Sequence, residues 1–258
     1  MNKIKIFEAS KIMWNAIKNE ELINSLPKKL IPKSKKEAYE IQKKYKYFTD
    51  YEHIGYKIAA TSVDGQKHIN VSGPILGMLF KHNVYSNNDI INFTNYTMGV
   101  AEAEIAFKLS KNISSHLKEI KEIRRYIDCV IPAIELPDTR LNNFESAGEF
   151  QLIADNACAK YLFLGSPYST LENINFENHF VNISTIDSSN EGNTLNVLGS
   201  PIKALFWAIN ELINYNLPIK KNMIIATGTC TNPIEFQNKD KLETYFDEIG
   251  NVKANINL

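Results

Sequence analysis

The chain has 258 residues, of which 44% are hydrophobic and 22% charged, and its formal net charge is zero. This length can bury a sizeable core, and a neutral charge balance creates no global field that favours nucleic acid or an anionic membrane. No apolar stretch approaches the roughly 20 residues of a membrane span, and the three widely spaced cysteines are typical of reduced thiols. We therefore expect a soluble cytoplasmic protein without a nucleic-acid or membrane partner.

Residues 1–52 are predicted to form a helical N-terminal segment. In a first helix, Ile12, Met13 and Ala16 fall on one apolar face. A second helix begins with a capping box, because Ser34 is followed three residues later by Glu37. The apolar residues after this box recur with helical spacing.

From residue 53 onward the pattern predicts a β-rich core, which we assign to residues 53–258 as one catalytic domain. Helices are predicted at 115–126, near Phe150, and at 200–215, where Ser200 and Pro201 are typical of an N-cap and a first helical residue. Glycines 228 and 250 are expected at turns. Short extended runs predict strands at 54–60, 77–80, 90–93, 100–109, 129–136 and 223–227. Together these elements predict an α+β fold.

Two carboxylates, Glu102 and Glu104, lie on one predicted strand. Residues two apart on a strand point to the same face, which these glutamates share with Val100 and Ala106. Like charges on a largely apolar strand are unfavourable unless a cation or a basic side chain neutralises them. Spacing alone leaves two interpretations open, a solvated strand edge and an ion-binding pair.

Glu135 and Lys57 also lie in apolar runs. An unpaired glutamate in a buried strand is costly, so Glu135 calls for a compensating group. If its strand neighbours that of Glu102 and Glu104, the three carboxylates form the all-oxygen donor set that Mg²⁺ or Mn²⁺ prefers. Zinc would require His or Cys ligands at spacings that the sequence lacks. Lys57 either extends to solvent at a strand edge or lies next to carboxylates.

Several short motifs follow one another between residues 55 and 231. They are Gly55-x-Lys57-x-Ala-x-Thr-Ser62, Val71-x-x-Pro74-x-x-Gly77-x-Leu79, Ala101-Glu-Ala-Glu-Ile-Ala-Phe107, Ile131-Pro-Ala-Ile-Glu-Leu-Pro-Asp-Thr-Arg140, Ala154-Asp-Asn-Ala157, Leu198-Gly-Ser-Pro201 and Thr227-Gly-Thr-Cys-Thr231. In this order they resemble the 2-keto-4-pentenoate hydratase branch of the fumarylacetoacetate hydrolase superfamily. The resemblance implies an α+β fold with a curved mixed sheet and a β-rich roll, a helical N-terminal segment, and assembly as a homodimer or higher homo-oligomer.

The resemblance also implies the site. Glu102, Glu104 and Glu135 match the residues that bind a divalent ion, with Mg²⁺ or Mn²⁺ typical. Lys57 matches the active-site lysine. Asp155 and Asn156 match a segment near the pocket, and we predict them, with Lys57 and Glu104, as catalytic residues.

The implied reaction is the metal-dependent addition of water to a 2-hydroxy-2,4-dienoate, the enol of a small-molecule 2-keto acid, to give a 4-hydroxy-2-oxo acid. Metal chelation does not by itself distinguish this reaction from decarboxylation of a 2-oxo-3-enedioate. Two further alternatives are C–C hydrolysis of an acylpyruvate, which needs a base such as a His–Glu pair, and a degenerate binding homologue. The chain departs from the family pattern at Ile75, Val100 and Ser200, where an acid, a basic residue and a histidine are common.

Overall fold

The computed structural model describes residues 1–92, 96–170 and 176–257. Its α-helices are α1 (Lys3–Asn19), α2 (Lys35–Lys43), α3 (Val63–His68), α4 (Phe144–Ala147), α5 (Glu149–Ala154) and α6 (Pro201–Asn214). Its strands are β1 (His53–Ala59), β2 (Ile75–Phe80), β3 (Val84–Ser86), β4 (Ile90–Asn92), β5 (Val100–Leu109), β6 (Ile127–Leu136), β7 (Tyr161–Leu164), β8 (Phe180–Ser184), β9 (Ser189–Asn193), β10 (Ile224–Thr229), β11 (Ile234–Glu235), β12 (Lys241–Phe246) and β13 (Gly250–Asn257). Residue 93, the end of one predicted strand, lies outside the described residues.

These strands form two sheets. The larger has the order β2-β1-β10-β5-β6-β7-β3, with β11 paired to β5, and the smaller has the order β4-β13-β12-β8-β9. The larger sheet is mixed, because β1 runs parallel to β10 but antiparallel to β2. Helices and sheets together make the α+β class that the sequence predicts. No described helix is long and apolar enough to cross a membrane.

Strand β5 lies inside the larger sheet, between β10 and β6. Ala103, Ile105 and Phe107 point into the main hydrophobic core, whereas Ala106 on the opposite face belongs to a second, smaller apolar cluster. The alternation expected of a strand is therefore present, with apolar packing on both faces. Because β5 has a neighbour on each side, the interpretation of Glu102 and Glu104 as a solvated strand edge is wrong.

The helical N-terminal segment packs on the strands next to the site. Ser34 caps α2 by accepting a hydrogen bond from the Glu37 amide at 3.3 Å. From the buried face of α2, the Gln42 amide donates to the carbonyl of Leu76 in β2 at 2.7 Å and to that of Ile153 in α5 at 2.5 Å. This segment thus contacts both β2 and α5 through buried hydrogen bonds. Its division from a catalytic domain at residue 53 stays a prediction.

The predicted helix at 115–126 is wrong over its first half, which is not helical, and its second half is a 3-10 helix, Ile120–Tyr126. The side-chain amide of Asn210 in α6 accepts from the backbone N–H of Leu117 at 2.9 Å and donates to its carbonyl at 3.2 Å. Because Asn210 occupies both the N–H and the carbonyl of Leu117, these groups do not make the hydrogen bonds of a helix. Ile120 is 39% exposed.

Two smaller features also differ from the prediction. The sequence analysis misses α3, a short helix capped by the Ser62 hydroxyl, which accepts from the Gly65 amide at 3.0 Å. Gly228, expected at a turn, lies within β10, at a register shift and with a φ of +100°. A Cβ at this position would lie 2.1 Å from the Thr61 hydroxyl, so glycine permits the Thr61 side chain to pack directly against the backbone here.

Candidate metal centre

Antiparallel pairing of β5 with β6 brings the three glutamates together. Glu102 lies directly opposite Glu135, and Glu104 lies opposite Ala133, the residue two before Glu135 on its strand. Directly opposed residues project to the same face of a sheet. One carboxylate oxygen from each of Glu102, Glu104 and Glu135 lies within 4.8 Å of the other two. The register of the two strands therefore assembles a compact three-carboxylate cluster.

The cluster is buried and poorly compensated by protein groups. Glu104 is fully buried, Glu135 is 1% exposed and Glu102 is half-buried. Among the described residues, no donor makes a well-aligned hydrogen bond to the four carboxylate oxygens of Glu104 and Glu135, although the Lys57 ammonium pairs with Glu135. Burial raises the pKa of Glu102 to about 7. The negative charge of Glu135 adds to this increase, and the positive charge of Lys57 opposes it. Burial, reinforced by both neighbouring carboxylates, also raises the pKa of Glu104 well above its usual range.

Lys57 lies next to the cluster on β1 and is only 2% exposed. Its Nζ forms an ion pair with Glu135 Oε1 at 3.0 Å and donates a hydrogen bond to the carbonyl of Ala157 at 3.2 Å. Burial by itself lowers the pKa of Lys57, but the charges of the three glutamates outweigh burial and raise it above its usual range. Lys57 is therefore a buried cation, and its interpretation as an edge lysine that extends to solvent is wrong.

A cavity of about 260 Å³ borders this cluster. Lys57, Glu102 and Cys158 line it, together with apolar side chains such as Ile69 and Met98 and with polar residues. This volume is near the lower end of the range for small-molecule pockets. Thr231, which the sequence analysis did not single out, also lines the cavity, and within the described part of the chain its buried hydroxyl has no hydrogen-bond partner.

The donor set fits a hard divalent cation. Carboxylate oxygens are the ligands that Mg²⁺ and Mn²⁺ prefer, and such an ion would neutralise the negative charge of three carboxylates that the single ammonium of Lys57 leaves unbalanced. The group contains no Cys or His ligand of the kind that softer metals prefer. Over residues 1–92, 96–170 and 176–257, this is the one group of three or more potential ligands close enough to share an ion.

Asp155 and Asn156 are not among the residues that line the cavity. The Asp155 carboxylate is fully buried and accepts hydrogen bonds from Arg140 Nε and Thr139 Oγ1, both at 2.6 Å, and from the Arg140 amide at 2.9 Å. The Asn156 side chain bonds to the backbone of Met78, with 2.7 Å to its amide and 2.9 Å to its carbonyl. The catalytic assignment of both residues stays a prediction, with no cavity contact to support it.

Residues Asn156–Cys158 form a left-handed turn, with φ values of 58°, 50° and 59°. Left-handed backbone costs about 1–2 kcal/mol per residue for residues other than glycine, although asparagine tolerates it better. This turn points the Ala157 carbonyl at Lys57. The sequence analysis missed the turn, because only Asn156 is of a residue type that favours this conformation.

The positions that depart from the family pattern have packing or capping contacts. Ile75 is fully buried at the start of β2, opposite Ala59. Val100 pairs with Glu235 of β11. The Ser200 hydroxyl caps α6 by accepting from the Lys203 amide at 3.3 Å. None of the three residues lines the cavity.

A histidine that lines the cavity lies near a glutamate that is not among the lining residues. His68 in α3 lines the cavity, and its Nδ1 lies 3.9 Å from Glu145 Oε1. This distance exceeds that of a hydrogen bond. Their side chains are 60% and 64% exposed.

No family model matches the chain. The curated 2-keto-4-pentenoate hydratase 1 of Dechloromonas aromatica is 26% identical over 202 residues, which cover 78% of this chain and 76% of the relative. Among solved structures, 4-oxalocrotonate decarboxylase from Pseudomonas putida G7, complexed with magnesium and adipate, superposes with a TM-score of 0.90 at 21% identity over 99% of this chain and 98% of that one. Fumarylpyruvate hydrolase from Pseudomonas aeruginosa, in complex with Mn²⁺ and pyruvate, gives a TM-score of 0.60 at 10% identity over 81% of this chain and 93% of that one.

These similarities confirm the fold and the resemblance that the sequence analysis predicts. The chain has the fold of the fumarylacetoacetate hydrolase superfamily and is a homologue of the 2-keto-4-pentenoate hydratases. The two solved structures contain divalent ions, namely magnesium and Mn²⁺.

Proposed function

We propose that this homologue of the 2-keto-4-pentenoate hydratases is itself a divalent-metal-dependent hydro-lyase. Its proposed reaction adds water to a 2-hydroxy-2,4-dienoate and yields a 4-hydroxy-2-oxo acid. The observation that carries the proposal is the cluster of Glu102, Glu104 and Glu135 beside Lys57, at a small cavity that Glu102 and Lys57 line. The name of the curated relative supports the same reaction.

We propose Glu102, Glu104 and Glu135 as the ligands of Mg²⁺ or Mn²⁺. The all-oxygen donor set and the unsatisfied buried carboxylate oxygens support this assignment, as do the magnesium and Mn²⁺ bound in the two structural neighbours. A bound ion of this kind would supply positive charge that stabilises negative charge on the C2 oxygen of a 2-keto acid.

Lys57 is proposed to hold the substrate oxygens. An ammonium has three N–H donors. One donates to Ala157 and another faces Glu135, so the third is available to an oxygen in the cavity that Lys57 lines. In a buried site such a charge-assisted hydrogen bond is stronger than in water, and it would stabilise the enolate as it forms. We assign proton transfer to Glu104, whose carboxylate belongs to the same cluster.

The atoms of the proposed reaction balance with one water. The enol loses its proton from the C2 oxygen as C5 gains one, which leaves a C3=C4 alkene conjugated with the new ketone. Water adds its hydroxyl to C4, and C3 takes up the remaining proton. A carbonyl conjugated with the alkene accepts the electron pair during this addition, so stabilisation at the C2 oxygen assists both halves of the reaction.

The charges around the cavity favour a substrate with one carboxylate, and hence hydration over decarboxylation of an enedioate. Among the described lining residues, Lys57 and His68 are the side chains that can carry positive charge, and Asp64 adds a negative charge. The Nζ of Lys57 already faces the cluster, and His68 is mostly exposed. The three arginines of the chain, at 124, 125 and 140, do not line the cavity. Among the described lining residues, a second carboxylate would find no buried cation besides Lys57.

A product assay tests the proposal. Protein loaded with Mn²⁺ should consume 2-hydroxypenta-2,4-dienoate, with loss of dienol absorbance and no release of CO₂. Glu135→Gln should abolish this activity, whereas Glu243→Gln on β12 is a matched control, because Glu243 pairs with Lys253 outside the site. Release of CO₂ from a 2-oxo-3-enedioate in preference to hydration would instead establish a decarboxylase. If neither Mn²⁺ nor oxalate, a mimic of the enolate, binds in calorimetric titration, the metal-enzyme hypothesis is wrong.

His68 and Glu145 favour a second candidate, the hydrolysis of an acylpyruvate. This pair could activate water if its separation of 3.9 Å closed on substrate binding. Cleavage of an acylpyruvate to pyruvate, lost in His68→Gln, would establish this activity. Retention of hydratase activity in the same variant would assign the pair no part in hydration.

The remaining predictions belong to the same proposal. We propose residues 53–258 as the catalytic domain behind a helical segment at 1–52, in a cytoplasmic homodimer or higher homo-oligomer without a nucleic-acid or membrane partner. The three free, buried cysteines support a reducing compartment. Size-exclusion chromatography with light scattering tests the oligomeric state.

A further inference from the structure

We propose that the left-handed turn Asn156–Cys158 is a positioning element that fixes the ammonium of Lys57 against the carboxylate cluster. In this proposal Arg140, Asp155 and Asn156 act as anchors of the turn. They are positioning residues, because they act through Lys57 and do not touch the substrate. The geometry applies to the metal-free protein, and its use in catalysis rests on the proposed function.

The conformation of the turn requires an explanation. Asn156, Ala157 and Cys158 all have positive φ values, of 58°, 50° and 59°. Residues with a Cβ rarely adopt this backbone conformation. Several of them in succession keep it only where surrounding contacts hold the backbone in place. All three residues are buried. A strained, buried turn of this kind is typical of a functional site.

The first anchor joins the turn to β2. The Asn156 side chain accepts from the Met78 amide at 2.7 Å and donates to the Met78 carbonyl at 2.9 Å, as a neighbouring strand would. The preceding residue, Gly77, permits a still closer approach, because a Cβ there would lie 2.1 Å from the Asn156 carbonyl oxygen. Gly77 is also the register partner of Lys57 across β1 and β2. The turn is therefore docked on the strand position next to the lysine.

The second anchor joins the turn to the segment that follows Glu135. Arg140 binds the Asp155 carboxylate through Nε at 2.6 Å and the Asp155 carbonyl through Nη2 at 2.5 Å. At the other end of the turn, the Asp138 amide donates to the Cys158 carbonyl at 2.9 Å. Both ends of the turn are thus held by residues 138–140, which lie just beyond Glu135 in the chain.

These anchors place the Ala157 carbonyl where it accepts from Lys57 Nζ at 3.2 Å, while Glu135 Oε1 lies 3.0 Å from the same nitrogen. A lysine side chain has four rotatable bonds and loses much rotamer freedom when its end is held. A carbonyl and a carboxylate fixed to one framework hold that end in place before a ligand arrives. This arrangement directs the remaining N–H donor without reorganisation at the moment of binding.

The first test examines Lys57 directly in metal-free protein. With lysine labelled with ¹⁵N at Nζ, a buried and hydrogen-bonded ammonium exchanges slowly with water and should give a resolved NMR signal, assigned by its loss in Lys57→Met. Asn156→Gly tolerates the positive φ but removes the first anchor, so we expect the signal to broaden beyond detection. Gly77→Ala displaces the turn from the opposite side and should have the same effect. Ala157→Gly is the matched control, because it retains the carbonyl and both anchors and should retain the signal.

The second test is a double-mutant cycle on oxalate affinity in Mn²⁺-loaded protein. Asn156→Gly should weaken oxalate binding about tenfold when Lys57 is present, because a charge-assisted hydrogen bond is misplaced. In the Lys57→Met background the same substitution should weaken binding less than about twofold, because its effect passes through Lys57. Mn²⁺ affinity should stay within about threefold, since the three glutamates are unchanged.

The outcomes separate the possibilities. Retention of the Lys57 signal in both Asn156→Gly and Gly77→Ala overturns the positioning role, and so does an equal loss of oxalate affinity in the two backgrounds. If Asn156→Gly does not fold, Gly77→Ala decides both tests. If wild-type protein binds no oxalate, the proposed function is wrong, and the NMR signal of the metal-free protein alone decides whether the turn positions Lys57.

Discussion

Replacement of Asp155 by asparagine should strongly destabilise the protein. Asp155 is fully buried and Arg140 is 4% exposed, so Asp155→Asn leaves a buried guanidinium without its counter-ion. The carboxylate also loses charge-assisted hydrogen bonds from Thr139 Oγ1 at 2.6 Å and from the Arg140 amide at 2.9 Å, which a neutral amide replaces only in part. Removing one partner of a buried ion pair costs about 3–5 kcal/mol. That is a large fraction of the roughly 5–15 kcal/mol by which domains are stable.

The same pair allows a stricter test. Burial raises the pKa of Asp155 even though Arg140 and the hydrogen bonds lower it, so these contacts do not fully offset the cost of burying its charge. Replacing both partners by apolar residues, as in Asp155→Leu with Arg140→Met, should therefore cost less than Asp155→Asn alone.

Urea denaturation of metal-free protein, followed by circular dichroism, measures both effects. A matched control is Glu243→Gln, because Glu243 and Lys253 form a pair at 2.9 Å with side chains 43% and 45% exposed. Exposed pairs of this kind contribute at most about 1 kcal/mol. A loss below about 1 kcal/mol in Asp155→Asn would refute the reasoning, as would a double variant less stable than the single one.

Other predictions concern charge in the cluster and the cavity. Because the pKa of Glu102 is near 7, protons compete with the metal for this carboxylate below neutral pH. The Mn²⁺ affinity measured by calorimetry should therefore fall from pH 8 to pH 6, by up to about tenfold for each pH unit below 7. Equal affinities at the two pH values would contradict this prediction. The folded protein binds this proton more tightly than the unfolded chain, so Glu102 destabilises the metal-free protein increasingly as pH rises from 4.5 to 7. The melting temperature of Glu102→Gln should accordingly exceed that of wild type by more at pH 8 than at pH 5, and a constant difference would argue against burial as the cause. Met98→Arg places a cation on the cavity wall and should improve adipate affinity about tenfold relative to oxalate, as measured by calorimetry; no change would mean that Met98 does not face the remote end of the ligand.

The strand at residues 100–109 shows which features a local sequence pattern can predict. Its alternation predicts which residues enter the core and places Glu102 and Glu104 together on the other face, because side-chain direction on a strand has a period of two. The start of α6 is equally local, since Ser200 caps the helix and Pro201 occupies its first turn. The first half of the predicted helix at 115–126 fails because its competitor, Asn210, is remote in sequence.

The sequence by itself determined the strand at residues 100–109 and the N-cap of α6, because both follow from residues close together in the chain. The ordered motifs predicted the superfamily fold that the comparisons confirm. The sequence also nominated Glu102, Glu104, Glu135 and Lys57 as a group, on the cost of burying their charges.

Only the tertiary structure decided that β5 pairs with β6 in the register that sets Glu102 opposite Glu135, and that Lys57 approaches from β1. It also showed that the Asp155 and Asn156 side chains hydrogen-bond to Arg140 and Met78 and do not line the cavity. Strand register and buried polar contacts join residues that are tens of positions apart, and they follow from the packing of the whole chain rather than from any local pattern.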